Sequence, residues 1–124
     1  MKTFFNLLSL SLVILLSVSC ESKDPAVLKV FVRSSSNQLM DGAKVIVIGD
    51  QQSNPPTLPF VDTVYSNASG FALVDMDQYF SVSGDQNTTG YFDIIVKYNN
   101  KVAYENSVRC RVHTTTVKTI YLPN

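Results

Sequence analysis

Few side chains in this sequence could carry chemistry, and its single histidine, His113, is the first of them. An imidazole can act as a general base or bind a metal near neutral pH. His113 precedes three threonines, 114–116, and neither a second histidine nor an acidic residue stands nearby in sequence. A lone histidine in such a setting is typical of an exposed turn, so we predict no catalytic residue here.

The aspartates Asp75, Asp77 and Asp85 could be arranged around a calcium ion, which takes about six to eight oxygen ligands. Their spacing lacks the regular succession of ligands that marks a calcium-binding loop. We therefore interpret them as solvated loop carboxylates. The sequence predicts neither a bound metal nor another cofactor.

Cys110 is one of two cysteines, and its neighbours alternate between apolar and charged residues. This alternation places Cys110 on the buried face of a strand together with Val108 and Val112. A buried thiol behaves as a small apolar side chain, whereas a nucleophilic thiol needs exposure and a nearby base. We therefore expect Cys110 to belong to the core.

The other cysteine, Cys20, ends a segment typical of protein export. Lys2 supplies a positive charge and an apolar run follows it from Phe4 to Val18. A run of about 15 residues suits a signal peptide and falls short of the roughly 20 residues that span a bilayer. We therefore predict export rather than permanent insertion as a transmembrane helix.

Leu16-Ser17-Val18-Ser19-Cys20 resembles a bacterial lipobox, in which small residues precede a cysteine that is acylated and becomes the new N-terminus. The resemblance implies a signal peptide over residues 1–19 and a lipidated tether that begins at Cys20. This tether covers residues 20–26, ahead of one domain predicted over residues 27–122. Ordinary signal-peptidase cleavage after small residues is the alternative. Several acyl chains on Cys20 would hold the domain at a membrane durably.

Residues 21–25 resemble the charged export signal of surface lipoproteins in Bacteroidota-type envelopes. Asp62-Thr63-Val64 also resembles an O-glycosylation site of such proteins, which makes Thr63 a candidate for modification. Both resemblances imply an outer-membrane lipoprotein on the periplasmic or surface face of the cell envelope.

Charge argues against a nucleic-acid partner. The chain contains ten basic and ten acidic residues, and loss of Lys2 with the signal would leave a slight acidic excess. No basic patch or stripe of the kind that binds phosphate backbones is visible in the sequence.

Short runs of alternating apolar and polar residues, separated by turn residues, fill the remainder of the chain. Alternation with a period of two is typical of half-buried strands, and a short helical turn is possible at residues 77–80. Seven such runs predict an all-β fold, a seven-stranded antiparallel sandwich. The predicted strands cover residues 27–33, 43–48, 60–65, 71–75, 91–98, 101–112 and 114–122.

Three segments, residues 42–47, 66–72 and 91–96, resemble the GA-x-V-x-V, TDASG-x-A and Y-x-I-x-V motifs of transthyretin-like domains, also called carboxypeptidase regulatory-like or prealbumin-like domains. The resemblance implies a Greek-key sandwich that often serves as a non-catalytic accessory or adhesive module. The hydroxyisourate hydrolases of this superfamily rely on several histidines and a different C-terminal motif, so the resemblance does not extend to their activity.

If successive strands alternate in direction, three connections meet at one end of the sandwich: residues 50–59, 76–90 and 113–114. Long loops at one end are a usual place for binding. Tyr79 and Phe80 could stack on a ligand there, although core packing is the favoured role for aromatic side chains. The candidate ligand-facing residues are Asn54, Pro55, Pro56, Tyr79, Phe80, Asp85 and His113.

These observations favour a non-catalytic, membrane-anchored envelope lipoprotein that binds or scaffolds a protein or glycan partner. Two alternatives stay open. A hydrolase of the same superfamily would need converging polar groups in a cleft. A structural subunit would assemble by adding strands at a sheet edge.

Overall fold

The computed structural model describes residues 24–84 and 87–124, which form one β-sandwich with a short helix. The elements are β1 Val27–Arg33, β2 Lys44–Gly49, β3 Val61–Tyr65, β4 Phe71–Asp75, α1 Asp77–Ser83, β5 Thr89–Tyr98, β6 Lys101–Arg111 and β7 Thr115–Tyr121. Every predicted strand is present, with boundaries that agree with the prediction to within two residues. The helix is longer than the predicted turn at 77–80.

The strands form two sheets, with orders β4-β1-β7 and β3-β2-β5-β6. The predicted all-β sandwich is therefore confirmed, and its Greek-key, transthyretin-like topology stays a prediction. One strand pair departs from the antiparallel prediction, because β1 and β7 pair in parallel over Val27–Arg33 and Thr115–Tyr121. Each connection reverses the chain, so the first and seventh strands run in the same direction and must be parallel as neighbours.

The core lies between the two sheets and follows from the alternation within each strand. Leu28, Val30 and Val32 of β1 face Val45 and Val47 of β2 across this core, and all five are fully buried. Val108 and Cys110 of β6 are buried beside them, which confirms the predicted core position of Cys110. Val112 follows the end of β6 and is only partly buried.

The connections sort to the two ends of the sandwich as predicted. At the end where the described chain begins, the amide of Leu58 donates to Tyr79 Oη at 3.1 Å, and Val112 donates to the carbonyl of Thr88 at 3.0 Å. These bonds bring together residues 50–60, 76–84, 87–88 and 112–114. We call this the proximal end, and the opposite end, with the β1–β2, β3–β4 and β5–β6 connections, the distal end.

None of the helices among the described residues is long and apolar enough to cross a membrane.

Candidate functional site

The proximal end contains a cleft of about 650 Å³ beside the helix α1. Its walls combine hydroxyl, amide, carboxylate and imidazole groups with two apolar side chains. The residues that line it are Asp77, Phe80, Ser81, Gly84, Asn87, Thr88, Val112 and His113.

The helix α1 is positioned by its first residues and by two buried rings. Asp75 Oδ1 accepts a hydrogen bond from the amide of Asp77 at 3.0 Å, and Gly84 ends the helix with φ of 96°. The rings of Tyr79 and Phe80 point into the core. Asp77 and Ser81 therefore border the cleft, while other side chains of the same helix lie away from it.

The beginning of the described chain is bonded to the cleft. The amide of Ala26 donates to Asp77 Oδ1 at 3.1 Å, and its carbonyl accepts from Met76 at 3.0 Å. His113 Nδ1 lies 2.8 Å from the carbonyl oxygen of Asp24. We call these contacts the N-terminal clamp, because they fix where the preceding chain meets the sandwich.

His113 lies in the connection between β6 and β7, exposed, with φ of 56°. The predicted exposed turn is therefore confirmed. Since a carbonyl oxygen only accepts, Nδ1 of His113 carries the proton that bonds Asp24. The hydroxyl of Ser81 donates to the carbonyl of Gln78 at 3.1 Å. The imidazole of His113 and the hydroxyl of Ser81 both line the cleft, and each is hydrogen-bonded to a main-chain carbonyl oxygen.

The aromatic candidates belong to the core rather than to an open surface. Tyr79 is 4% exposed and Phe80 is 8% exposed. The ring of Tyr79 packs edge to face against Phe80 and against Phe92, with centroids 5.1 Å apart in both pairs. The alternative that these rings stack on a ligand is therefore wrong for Tyr79, whereas an edge of Phe80 reaches the cleft wall.

The loop at residues 50–59 lies at the proximal end but does not line the cleft. Thr57 is buried, and its Oγ1 accepts from the amide of Tyr91 at 2.9 Å. Asn54, Pro55 and Pro56 are exposed on the outer side of this loop. These three predicted candidates are therefore not among the residues that line the cleft with His113.

Two of the three aspartates considered for calcium, Asp75 and Asp77, are among the described residues. Asp75 and Asp77 each accept a main-chain hydrogen bond, and Asp85 lies outside the described residues. Across residues 24–84 and 87–124, three or more potential metal ligands nowhere come together. The predicted lipidation site, Cys20, also lies outside the described residues.

Thr63 is exposed on β3, an edge strand of the four-stranded sheet. Its amide is bonded to Asp62 Oδ1 at 2.9 Å. A modifying enzyme would thus find the hydroxyl on the outer surface, away from the cleft.

The sequence did not single out Ser81, Asn87 or Thr88 as cleft residues. Each belongs to a polar stretch with no motif, and they meet His113 only where the connection between β4 and β5 lies beside residues 112–113. The predicted position of the connection at 76–90, at the end used for binding, covered these residues but named none of them.

Comparison with known proteins gives a likeness of fold. No protein-family model matches the chain, and no curated protein matches it. A solved structure described as the Bacillus anthracis TIE protein is similar, with a TM-score of 0.51 and 13% sequence identity over 82% of this chain. The match covers 17% of that protein, so this chain is similar to one portion of a much longer molecule.

Proposed function

We propose that the chain is a non-catalytic lipoprotein of the bacterial cell envelope, and that its sandwich binds a protein or glycan partner. The apolar run that ends at Cys20, four residues before Asp24, supports lipid attachment. The polar cleft at the proximal end supports binding.

The N-terminal clamp is the observation that carries this proposal. With Asp24 bonded to His113 and Ala26 bonded to Asp77, the four Cα steps from Cys20 to Asp24 span at most about 14 Å. An acylated Cys20 would therefore hold the proximal end, with its cleft, next to the lipid. A partner bound there would lie at the membrane surface.

The chemistry of the cleft suits a polar ligand. Ser81, Thr88 and Asn87 offer hydroxyl and amide groups, Asp77 offers a carboxylate, and Phe80 offers an apolar edge. A small number of polar groups beside an apolar surface is a usual pattern in ligand sites, and it fits either the hydroxyls of a glycan or the main chain of a peptide.

Lipid attachment is tested by metabolic labelling with palmitate in the native host. We expect label on the full-length protein and none on the Cys20→Ala variant, with the intact mass showing the acyl chains. A mature wild-type protein without added acyl mass would contradict the proposal.

Binding at the cleft is tested with two tryptophan substitutions on α1. Ser81→Trp fills the cleft, whereas Gln78→Trp adds the same ring at an exposed residue of α1 that borders a separate hollow and not the cleft. We expect Ser81→Trp alone to weaken binding to envelope glycan or protein fractions at least tenfold in a pull-down titration. Equal effects of both variants would exclude the cleft.

Strand addition is the second candidate function, and the edge strand β7 favours it. β7 pairs only with β1, and Thr114 and Leu122 direct their main-chain groups to that neighbour. The odd-numbered residues, such as Thr119, therefore point theirs outward. If this function holds, sedimentation will show concentration-dependent assembly that Thr119→Pro abolishes; a monomer at all concentrations would exclude it.

A further inference from the structure

A second surface at the proximal end is apolar and exposed. Leu58 and Pro59, in the loop before β3, lie beside Val82 near the end of α1, around a small hollow of about 90 Å³. Val82 is 82% exposed and Leu58 is 43% exposed, and Pro59 is also exposed. We call these three residues the apolar rim.

The apolar rim is held rigidly by the core beneath it. The amide of Leu58 donates to Tyr79 Oη at 3.1 Å, and Gly49 donates to the carbonyl of Phe60 at 2.8 Å. The ring of Tyr79 is itself fixed among other aromatic rings. The rim therefore cannot easily turn its side chains inward, and its apolar surface stays in contact with water unless something covers it.

The rim and the polar cleft lie on different sides of the same helix. Asp77 and Ser81 border the cleft, whereas Gln78 and Val82 border the hollow. A helix is about 10 Å across with its side chains. The rim is therefore displaced sideways from the N-terminal clamp, and both belong to the proximal end.

We propose that the apolar rim inserts into the interfacial layer of the membrane to which Cys20 is attached, so that the domain stands on its proximal end. The inference rests on the proposed lipid attachment. A tether of at most about 14 Å between Cys20 and Asp24 keeps the proximal end close to the lipid, where exposed aliphatic side chains are buried in the headgroup and acyl boundary.

Charges of both signs lie at the proximal end. Asp24, Asp75 and Asp77 are exposed there, and Arg109 and Arg111 are exposed on β6 where it pairs with the start of β5. The rim therefore fits a zwitterionic phospholipid surface, and insertion reaches only the rim side chains because the charged groups must stay hydrated.

The test uses the acylated protein in phosphatidylcholine vesicles, with an environment-sensitive fluorophore on Val82→Cys and, as a control, on Ser69→Cys at the distal end. Cys110 is buried and does not compete for the label. We expect a blue shift and quenching by brominated lipid at residue 82 and neither at residue 69. Fluorescence at residue 82 that is the same in vesicles and in buffer would overturn the inference.

A second pair of variants separates insertion from mere proximity to lipid. With the fluorophore on Leu58→Cys, Val82→Asp should abolish quenching by brominated lipid. Val61→Asp, at an exposed aliphatic residue of β3, should leave the quenching intact. Both sites are on the surface, so neither change should prevent folding.

The outcomes separate this inference from the proposed function. If palmitate labelling is absent, the proposed function fails and the inference fails with it. If Cys20 is acylated but the probe at residue 82 stays in water, only the inference fails. A blue shift that depends on protein concentration and not on lipid would show that a second copy covers the rim, and would also overturn the inference.

Discussion

Cys110 illustrates how the position of one side chain on a strand sets its chemistry. Burial raises the pKa of its thiol from 9.0 to about 11, and a hydrogen bond with Thr116 opposes part of that effect. The thiol is therefore protonated at neutral pH and is shielded from reagents, which agrees with a role in the core.

The raised pKa of Cys110 predicts a loss of stability at alkaline pH. The unfolded chain releases the thiol proton near pH 9 while the folded chain keeps it to about pH 11, so the unfolded state gains relative stability over that interval. Between pH 9 and 11 we expect the free energy of unfolding to fall more in the wild type than in Cys110→Ala, by about 2 kcal/mol. Urea titrations at each pH measure the difference, and parallel curves would contradict it.

Ser66 connects two loops at the distal end through one buried hydroxyl. Its Oγ donates to the carbonyl of Met40 at 2.7 Å and accepts from the amide of Ala43 at 2.9 Å. The sequence marks this turn through its resemblance to a known motif, but the motif does not reveal that the hydroxyl satisfies two main-chain groups twenty or more residues away.

Replacing Ser66 should therefore be costly. Ser66→Ala leaves the amide of Ala43 and the carbonyl of Met40 without this partner, which should lower the free energy of unfolding by about 1–3 kcal/mol. Ser69→Ala, in the same turn but exposed, should change it by less than about 0.5 kcal/mol. Equal midpoints in urea for both variants would contradict this role.

At the scale of elements, the sequence pattern predicted the strands, but it did not predict where β5 begins after α1. Alternation such as that of Val27–Arg33 reports one buried face directly, so β1 has its predicted bounds. The segment between α1 and β5 is polar and gave no sign that β5 begins at Thr89. The second residue of β5, Gly90, lies against the rings of Tyr79 and Phe92.

Gly90 is where β5 passes under the rings of Tyr79 and Phe92. A Cβ atom there would lie 2.8 Å from Phe92 ring carbons and 3.1 Å from Tyr79, and the surrounding rings already contact one another. Gly90→Ala should therefore lower the free energy of unfolding by about 1–3 kcal/mol through overpacking.

The position of α1 gives this substitution a second readout. Displacement of Tyr79 should weaken its bond to the amide of Leu58 and accelerate hydrogen exchange in α1. Thr88→Ala, exposed and two residues earlier, is the matched control. If Gly90→Ala is as stable as that control, the rings of Tyr79 and Phe92 have room for the added methyl group, and the overpacking argument is wrong.

At the scale of the whole molecule, the two-sheet architecture could be predicted because each strand shows its buried face. The cleft could not, since its walls come from α1 and from residues beside β5 and β7. Those segments come together only in the folded sandwich. The sequence around Ser81 or Asn87 does not indicate that these residues will lie side by side.

Charges of both signs lie at each end of the molecule. Asp75, Asp77 and Arg111 lie at the proximal end, and Lys44, Lys97, Lys101 and Asp41 lie at the distal end. Lys44 and Lys97 are direct partners on β2 and β5, a like-charged pairing that destabilises a sheet. Since β1 alone spans about 23 Å, attraction between the two ends is largely screened over the roughly 10 Å Debye length of 0.1 M salt.

The repulsion between Lys44 and Lys97 is therefore the like-charge contact that added salt should relieve. We expect the free energy of unfolding to rise as salt increases from about 0.01 to 0.2 M, where screening removes the interaction between exposed charges. Lys97→Glu should stabilise the protein at low salt by about 0.2–1 kcal/mol through its new pairing with Lys44, and should reduce the dependence on salt. Lys101→Glu, which is not opposite Lys44 in the sheet, is the control. A wild type that loses stability with added salt would show that attraction between opposite charges is the stronger effect, and that the Lys44–Lys97 pair does not set the dependence on salt.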